Sequence, residues 1–259
     1  MRLFWLLMKT TLVSYMQHRL SFFLQTLAQF MASCIEIFGL WVLFCRFSLI
    51  EGWSMPELAV MLGITHIGFA IADAFSRGFD TFSQLVKRGD FDRLLLRPIS
   101  PFVQVATREV HLIKIGRLVQ GLLVLVYGIS SLHLHLFPDG LIILLAICGT
   151  ASLFTGLFIV QAALAFWTTE NLSLMDITTY GGRETGQYPI SIYDGTLQFV
   201  FTFLIPLACV SFYPASVVLH HGQSPLWAGF LSPLAGGLFL YLSYRLWQIG
   251  VRHYQSTGS

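Results

Sequence analysis

Val86-Lys-Arg-Gly-Asp-Phe-Asp-Arg-Leu-Leu-Leu-Arg-Pro-Ile-Ser-Pro101 is the densest charged block in a chain of 259 residues that is 55% hydrophobic and only 11% charged. Lys87, Arg88, Asp90, Asp92, Arg93 and Arg97 crowd together. Leu94, Leu95 and Leu96 interrupt them, and Pro98 stops any helix. Basic residues beside a membrane attract anionic headgroups, by about 1 kcal/mol each. That accounts for Lys87, Arg88, Arg93 and Arg97, but the same headgroups repel Asp90 and Asp92. Charges of both signs around a leucine triplet suit docking onto a partner protein, where they set register. Lipid-surface binding stays open as the alternative.

Long apolar stretches flank this block on both sides. An average soluble domain is roughly 25% charged, and a mean hydropathy of +0.71 places this chain in the bilayer. A helical span needs about 20 mostly apolar residues. The sequence predicts an all-α integral membrane protein with six spans, at about 20–45, 56–79, 112–132, 141–167, 190–212 and 226–249. Pro56 suits a first helical turn. Pro206 lies inside the fifth span, which can bend or re-enter there. The longest segment between spans is about 30 residues, too short for an independent core. The whole of 1–259 therefore reads as a single transmembrane domain.

Before the first span, Phe4, Trp5, Met8, Leu12, Tyr15 and Met16 share one helical face, while Thr10, Thr11, Ser14, Gln17 and His18 gather opposite. This predicts an amphipathic helix in the membrane interface, with an extension of the first span as the alternative. Lys9 breaks the apolar run and no small-residue cleavage site follows, so a signal peptide is not expected. With the N-terminus inside, every Lys and Arg except Arg46 falls on the inner side. That asymmetry orients the chain and favours an even number of spans with both termini cytoplasmic.

Several chemistries lack their motif. There is no Gly-x-x-x-x-Gly-Lys-Ser/Thr loop and no His-Glu-x-x-His helix, and no Gly-x-Ser-x-Gly elbow. Catalytic residues and a metal site are not expected. Cys34, Cys45, Cys148 and Cys209 are scattered through apolar segments and read as buried small hydrophobes. His133, His135, His220 and His221 fall in outer loops, too few to hold zinc. A net charge of +2 gives no reason to expect nucleic acid. No internal repeat appears, which counts against an inverted-repeat secondary transporter. A membrane enzyme acting on lipid would need clustered His, Asp or Ser near one face. The inner loops offer only Asp176, Arg183, Glu184 and scattered hydroxyls.

Glu36 and Asp73 are the carboxylates inside predicted spans. Such groups face a bundle interior or a watery cavity. Two readings stand: a lining of the substrate path, or a structural pair with a hydroxyl, amide or Arg of a neighbouring helix. Arg77, one turn after Asp73, supplies a pair on one helix face. His66 and Gln161 are weaker candidates, since a polar residue facing another helix usually serves packing. The six tryptophans, Trp5, Trp41, Trp53, Trp167, Trp227 and Trp247, fall near span ends and read as interfacial anchors.

Arg88-Gly-Asp-Phe-Asp-Arg-Leu-Leu-Leu-Arg-Pro98, between the second and third spans, resembles the signature of bacterial ATP-binding-cassette exporter permeases of a six-span class long catalogued as a domain of unknown function. Phe166-Trp167 with Glu170, Pro206 with Tyr213-Pro214-Ala215, and the tail Tyr254-Gln-Ser-Thr-Gly-Ser259 are similar to the same class. The resemblance covers nearly the whole chain. It implies one permease subunit beside a second, identical or similar, in the bacterial cytoplasmic membrane. Two copies of a separate ATPase would bind ATP and Mg, so this chain would carry no cofactor. The segment Lys87, Arg88, Gly89, Asp90, Phe91, Asp92, Arg93, Leu94, Arg97 and Pro98 would contact that ATPase as a coupling helix. Substrates of the wider superfamily run from drugs and lipids to polysaccharides. A small amphipathic, drug-like or lipid-like substrate is expected here, with a stand-alone secondary transporter or channel as the alternative function.

Overall fold

The computed structural model describes residues 17, 19–135, 137–168, 177–221 and 225–254. The expected interfacial N-terminal helix, Glu170, Asp176 and the tail beyond Tyr254 lie outside these residues. The described chain is helical, without a β-strand.

The first span is α1 (Arg19–Arg46), and the second is α2 (Met55–Phe75). Ile50 and Trp53 exchange backbone hydrogen bonds across the turn between them, with Gly52 at a φ of +81°. The α2 start is fixed by Pro56 in its first turn and by Glu57, whose Oε2 accepts from the Ser54 N–H at 2.7 Å. This is the reciprocal half of a capping box. Four short helices follow: α3 (Arg77–Asp80), α4 (Phe82–Lys87), α5 (Asp90–Leu95) and α6 (Pro101–Ala106). The third span enters through a short 3-10 turn at Leu112–Lys114 and continues as α7 (Ile115–Ser131). The fourth is α8 (Asp139–Thr168).

The expected fifth span, 190–212, is broken beside Pro206. The chain runs from a π-helical turn at Ile177–Gly181 into α9 (Gly182–Gly186), then through a 3-10 turn at Ile190–Ile192 to α10 (Gly195–Phe199), and through π-helical turns at Val200–Leu204 and Ala208–Phe212 to α11 (Tyr213–Val218). The chain bends by 77° between Gly195–Leu204 and Ala208–Val218. Ile205 is extended, at φ −121° and ψ 91°, because the residue before a proline is pushed out of the helical region. Pro206 then has no N–H to continue the ladder. The last span is a 3-10 turn at Leu226–Phe230 followed by α12 (Leu231–His253).

Side contacts fix the ends of the bundle. His221 stacks on Trp53 at 4.1 Å and pairs with Glu57 at 2.9 Å, so residue 221 lies at the α1–α2 turn. Tyr254 packs on Phe91 at 4.9 Å and on Phe166 at 5.8 Å, so the end of α12 lies beside α5 and the end of α8. The chain therefore passes between the two ends of the bundle six times, the fifth time by a broken route. Both ends of the described chain sit on the side of α3–α6.

Apolar helices gain no hydrophobic advantage by leaving lipid for one another, so close packing of small residues holds them. A Cβ at Gly63 of α2 would stand 2.7 Å from Leu125 Cβ and 2.9 Å from its Cα on α7. At Gly149 of α8 it would stand 2.5 Å from the Ser232 carbonyl oxygen on α12. α2 is buried nearly all round, so it is the central post. α1 touches chiefly α7 and leaves most of its apolar surface outward.

Three further expectations need correcting. Trp247 and Trp53 are buried, not interfacial, although Trp41, Trp167 and Trp227 are exposed. Cys45 and Cys148 are exposed on the outer face; Cys209 alone of the four is buried. The stretch 177–189 is not an inner loop: the Thr65 hydroxyl, midway along α2, donates to the Gly186 carbonyl at 2.8 Å.

Candidate functional site

The charged block folds as a short helix held from one side. Gly89 has a φ of +69°, the left-handed conformation that glycine adopts without strain, and it turns the chain sharply from α4 into α5. Phe91 is fully buried among Phe82 at 5.2 Å, Phe166 at 5.3 Å, Trp247 and Tyr254. Leu94 is buried beside it. Phe91 and Leu94 therefore anchor α5 to the ends of α8 and α12 and are not free for contact with a partner. The outward edge is Lys87, Arg88, Arg93, Leu95, Leu96, Arg97 and Pro98. The Arg93 side chain is 82% exposed, with Asp90 3.6 Å away, and Leu96 is 87% exposed. Burial raises the Tyr254 phenol to about 12, and the adjoining Asp92 carboxylate adds to the shift. Asp92 thus faces the C-terminal end, while the cations face outward.

Above this helix, both carboxylates singled out by sequence sit in internal ion pairs. Asp73 is 0% exposed, with Lys114 Nζ at 2.8 Å and Arg77 Nη1 at 3.8 Å. Arg77 also holds Asp80 at 2.6 Å and donates to the Tyr180 hydroxyl at 3.2 Å. Gln161 donates to Asp80 at 3.1 Å. Glu36 is 28% exposed and is met by Arg183 at 3.2 Å, Arg117 at 3.8 Å and His66 at 3.6 Å. His66 Nδ1 lies 2.8 Å from Gln120 Oε1. Arg183 also pairs with its neighbour Glu184, which accepts from Gln187 at 2.6 Å. The Arg117 and Arg183 guanidinium groups each lie 5.6 Å from the Phe69 ring, whose negative face attracts both.

Sequence reading found Glu36, Asp73, Arg77, His66 and Gln161. It missed Arg117, Lys114 and Arg183 as partners, because it assigned them to the inner surface as orienting charges. The available signal was the cost of an unpaired carboxylate in a bilayer, which requires a cation from another helix. The block at Lys87–Pro98 and the Glu36 cluster are separate. The first is surface chemistry. The second is balanced, with two arginines against two carboxylates. Among the described residues no three His, Cys, Asp or Glu side chains converge as a metal site.

A broken fifth span and a charged helix at one end of an otherwise apolar bundle describe a multi-pass membrane protein. Residues 30–258 match a family model described as ABC-2 family transporter protein. The chain belongs to that family. No curated protein and no solved structure matches it. An ABC-2 family permease is the membrane subunit of an ABC transporter, and the match runs from within α1 through α12, including the α3–α6 segment.

Proposed function

We propose that this ABC-2 permease couples ATP binding and hydrolysis by two copies of a separate ATPase subunit to export of a small amphipathic, drug-like or lipid-like substrate. A second permease, identical or similar, completes the path. The observation that carries this is the two-sided build of α5. Phe91 and Leu94 lock it to the ends of α8 and α12, while Lys87, Arg88, Arg93, Leu96 and Arg97 face outward. A displacement applied to the outer edge therefore reaches two long spans through packed aromatic rings. Nucleotide drives transport only by binding one conformation better than the other, and α5 carries that difference. The basic residues on this side favour the cytoplasm of a bacterial inner membrane. Glu36, partly exposed and ringed by cations, is the better of the two carboxylates for the substrate path. The enclosed Asp73 serves the fold.

The test is co-purification from native membranes in mild detergent, with every partner chain identified by mass spectrometry. A P-loop ATPase in stoichiometric amount is expected. Arg93→Glu with Arg97→Glu should weaken its retention by tenfold or more while membrane insertion is unchanged, since rim charges act through association. Full retention of the ATPase by that variant would overturn the docking assignment. A chain that purifies alone after cross-linking, and moves solute in liposomes without nucleotide, is a stand-alone transporter.

A further inference from the structure

Two cavities open side by side along α12 and share Phe102 and Tyr244, whose rings meet edge to face at 4.9 Å. The larger, about 480 Å³, is walled by Phe75, Phe79, Ile159 and Leu240, with Gly237 at the end nearer the middle of the bilayer. The smaller, about 260 Å³, is bordered by Ser100, Gln248 and Arg252. None of the residues lining either cavity is acidic. The larger cavity is mostly apolar, with Ser76, Thr155 and Tyr241 also on its wall, and the one cation of the groove lies at the α3–α6 end.

We propose that this groove holds one anionic phospholipid of the bilayer leaflet on the α3–α6 side, with its acyl chain along Gly237–Tyr244 and its phosphate at Arg252. The proposal goes beyond the exporter reading and does not rest on it. Three observations carry it. From Gly237 to Arg252 the helix rises about 22 Å at 1.5 Å per residue, which matches one leaflet with its headgroup, half of a roughly 40–45 Å bilayer. The single charge lining the groove is positive and lies where a headgroup would lie. Gly237 borders open space, since a Cβ there would meet nothing within 4 Å, so the inner end of the groove is accessible to an acyl chain. Tyr241, on the groove wall, is fixed by Arg245, which donates to its hydroxyl at 3.2 Å.

The experiment is native mass spectrometry of the full chain in neutral detergent, titrated with phosphatidylglycerol or phosphatidylcholine of identical acyl chains. Phosphatidylglycerol should be retained preferentially. Arg252→Gln should reduce that preference about fivefold, the effect of one basic residue on an anionic headgroup, without changing phosphatidylcholine retention. Gly237→Leu, which fills open space, should reduce retention of both lipids at an unchanged melting temperature. Inorganic phosphate should displace neither. Equal retention of the two lipids by the parent chain, unaltered by either variant, would overturn the proposal. So would competition by inorganic phosphate alone. A dimer that Gly237→Leu splits, with lipid counts unaffected, would assign the groove to a second copy of the chain. Arg252 is exposed, so the Arg252→Gln result stands even if Gly237→Leu fails to fold.

Discussion

Asp73 shows how a membrane carboxylate is neutralised. It has no exposure, and its nearest cation is Lys114 at 2.8 Å. Arg77 is further off and already engaged by Asp80. The Asp73–Arg77 pair was legible from spacing on one helix face; Lys114 was not, because it arrives after the whole α3–α6 segment. Removing one partner of a buried pair costs about 3–5 kcal/mol, whereas removing both can be nearly neutral. Lys114→Met should therefore lower the melting temperature in detergent sharply. Asp73→Leu added to Lys114→Met should recover part of the loss. A double variant as unstable as the sum of the singles would show that the pair is not coupled. His111, beside the third-span entry, gives a pH-dependent counterpart. Burial, and next the Arg77 guanidinium, hold its imidazole below the ordinary value, while Glu109 at 3.8 Å opposes them. The folded chain thus keeps His111 neutral where the unfolded chain takes up a proton. Its contribution is complete above the unfolded value of about 6.5 and is lost as pH falls toward the folded one. The melting temperature should fall more between pH 7.5 and 5.5 in the parent chain than in His111→Asn.

At the scale of elements, hydropathy marked α1, α2, α7, α8 and α12 because each is a long apolar run, and composition alone sets that signal. The interior of the fifth passage was not legible. Pro206 announced a break, but its 77° bend and the approach of α9 to the middle of α2 depend on contacts between distant residues. The α5 helix was legible as a charged segment. That Phe91 and Leu94 turn inward was not, since the aromatic cluster that receives them comes from α4, α8 and α12. The α8–α12 contact yields a sharp prediction. A methyl group on Gly149 would strike the Ser232 backbone, and overpacking of this kind costs about 1–3 kcal/mol. Gly149→Ala should lower stability by that amount. Gly237→Ala, on the same contact's open side, should leave stability unchanged or raise it by up to about 1 kcal/mol through helix propensity. Denaturation of both variants in one detergent checks the pair. Equal effects would mean that α8 and α12 are not held at this distance.

For the whole molecule, the sequence predicts an even number of crossings from the one-sided distribution of Lys and Arg. The structure has five long apolar helices, and the bent pair brings the number to six where it serves as one span. Tyr254 returns to Phe91, and His221 returns to Trp53; neither contact is visible in a local window. Some of the cations behind the sequence argument are internal: Arg117 and Arg183 pair with Glu36, not with a surface. Among the described residues, the exposed cations toward the α3–α6 end are Arg19, Lys87, Arg88, Arg93, Arg97, Arg108, Arg245 and Arg252, against Arg46 at the other end. That distribution predicts which end faces the cytoplasm. In a cysteine-free background, Leu96→Cys and His253→Cys should be shielded from a membrane-impermeant maleimide in intact cells and labelled after permeabilisation. Leu49→Cys and Leu226→Cys, exposed at the opposite end, should label without permeabilisation. If 96 and 253 label from opposite sides, the fifth passage does not cross and the bent pair is re-entrant. If all four report the reverse sidedness, the six crossings stand, but α5 faces away from any cytoplasmic ATPase and the proposed coupling fails with it.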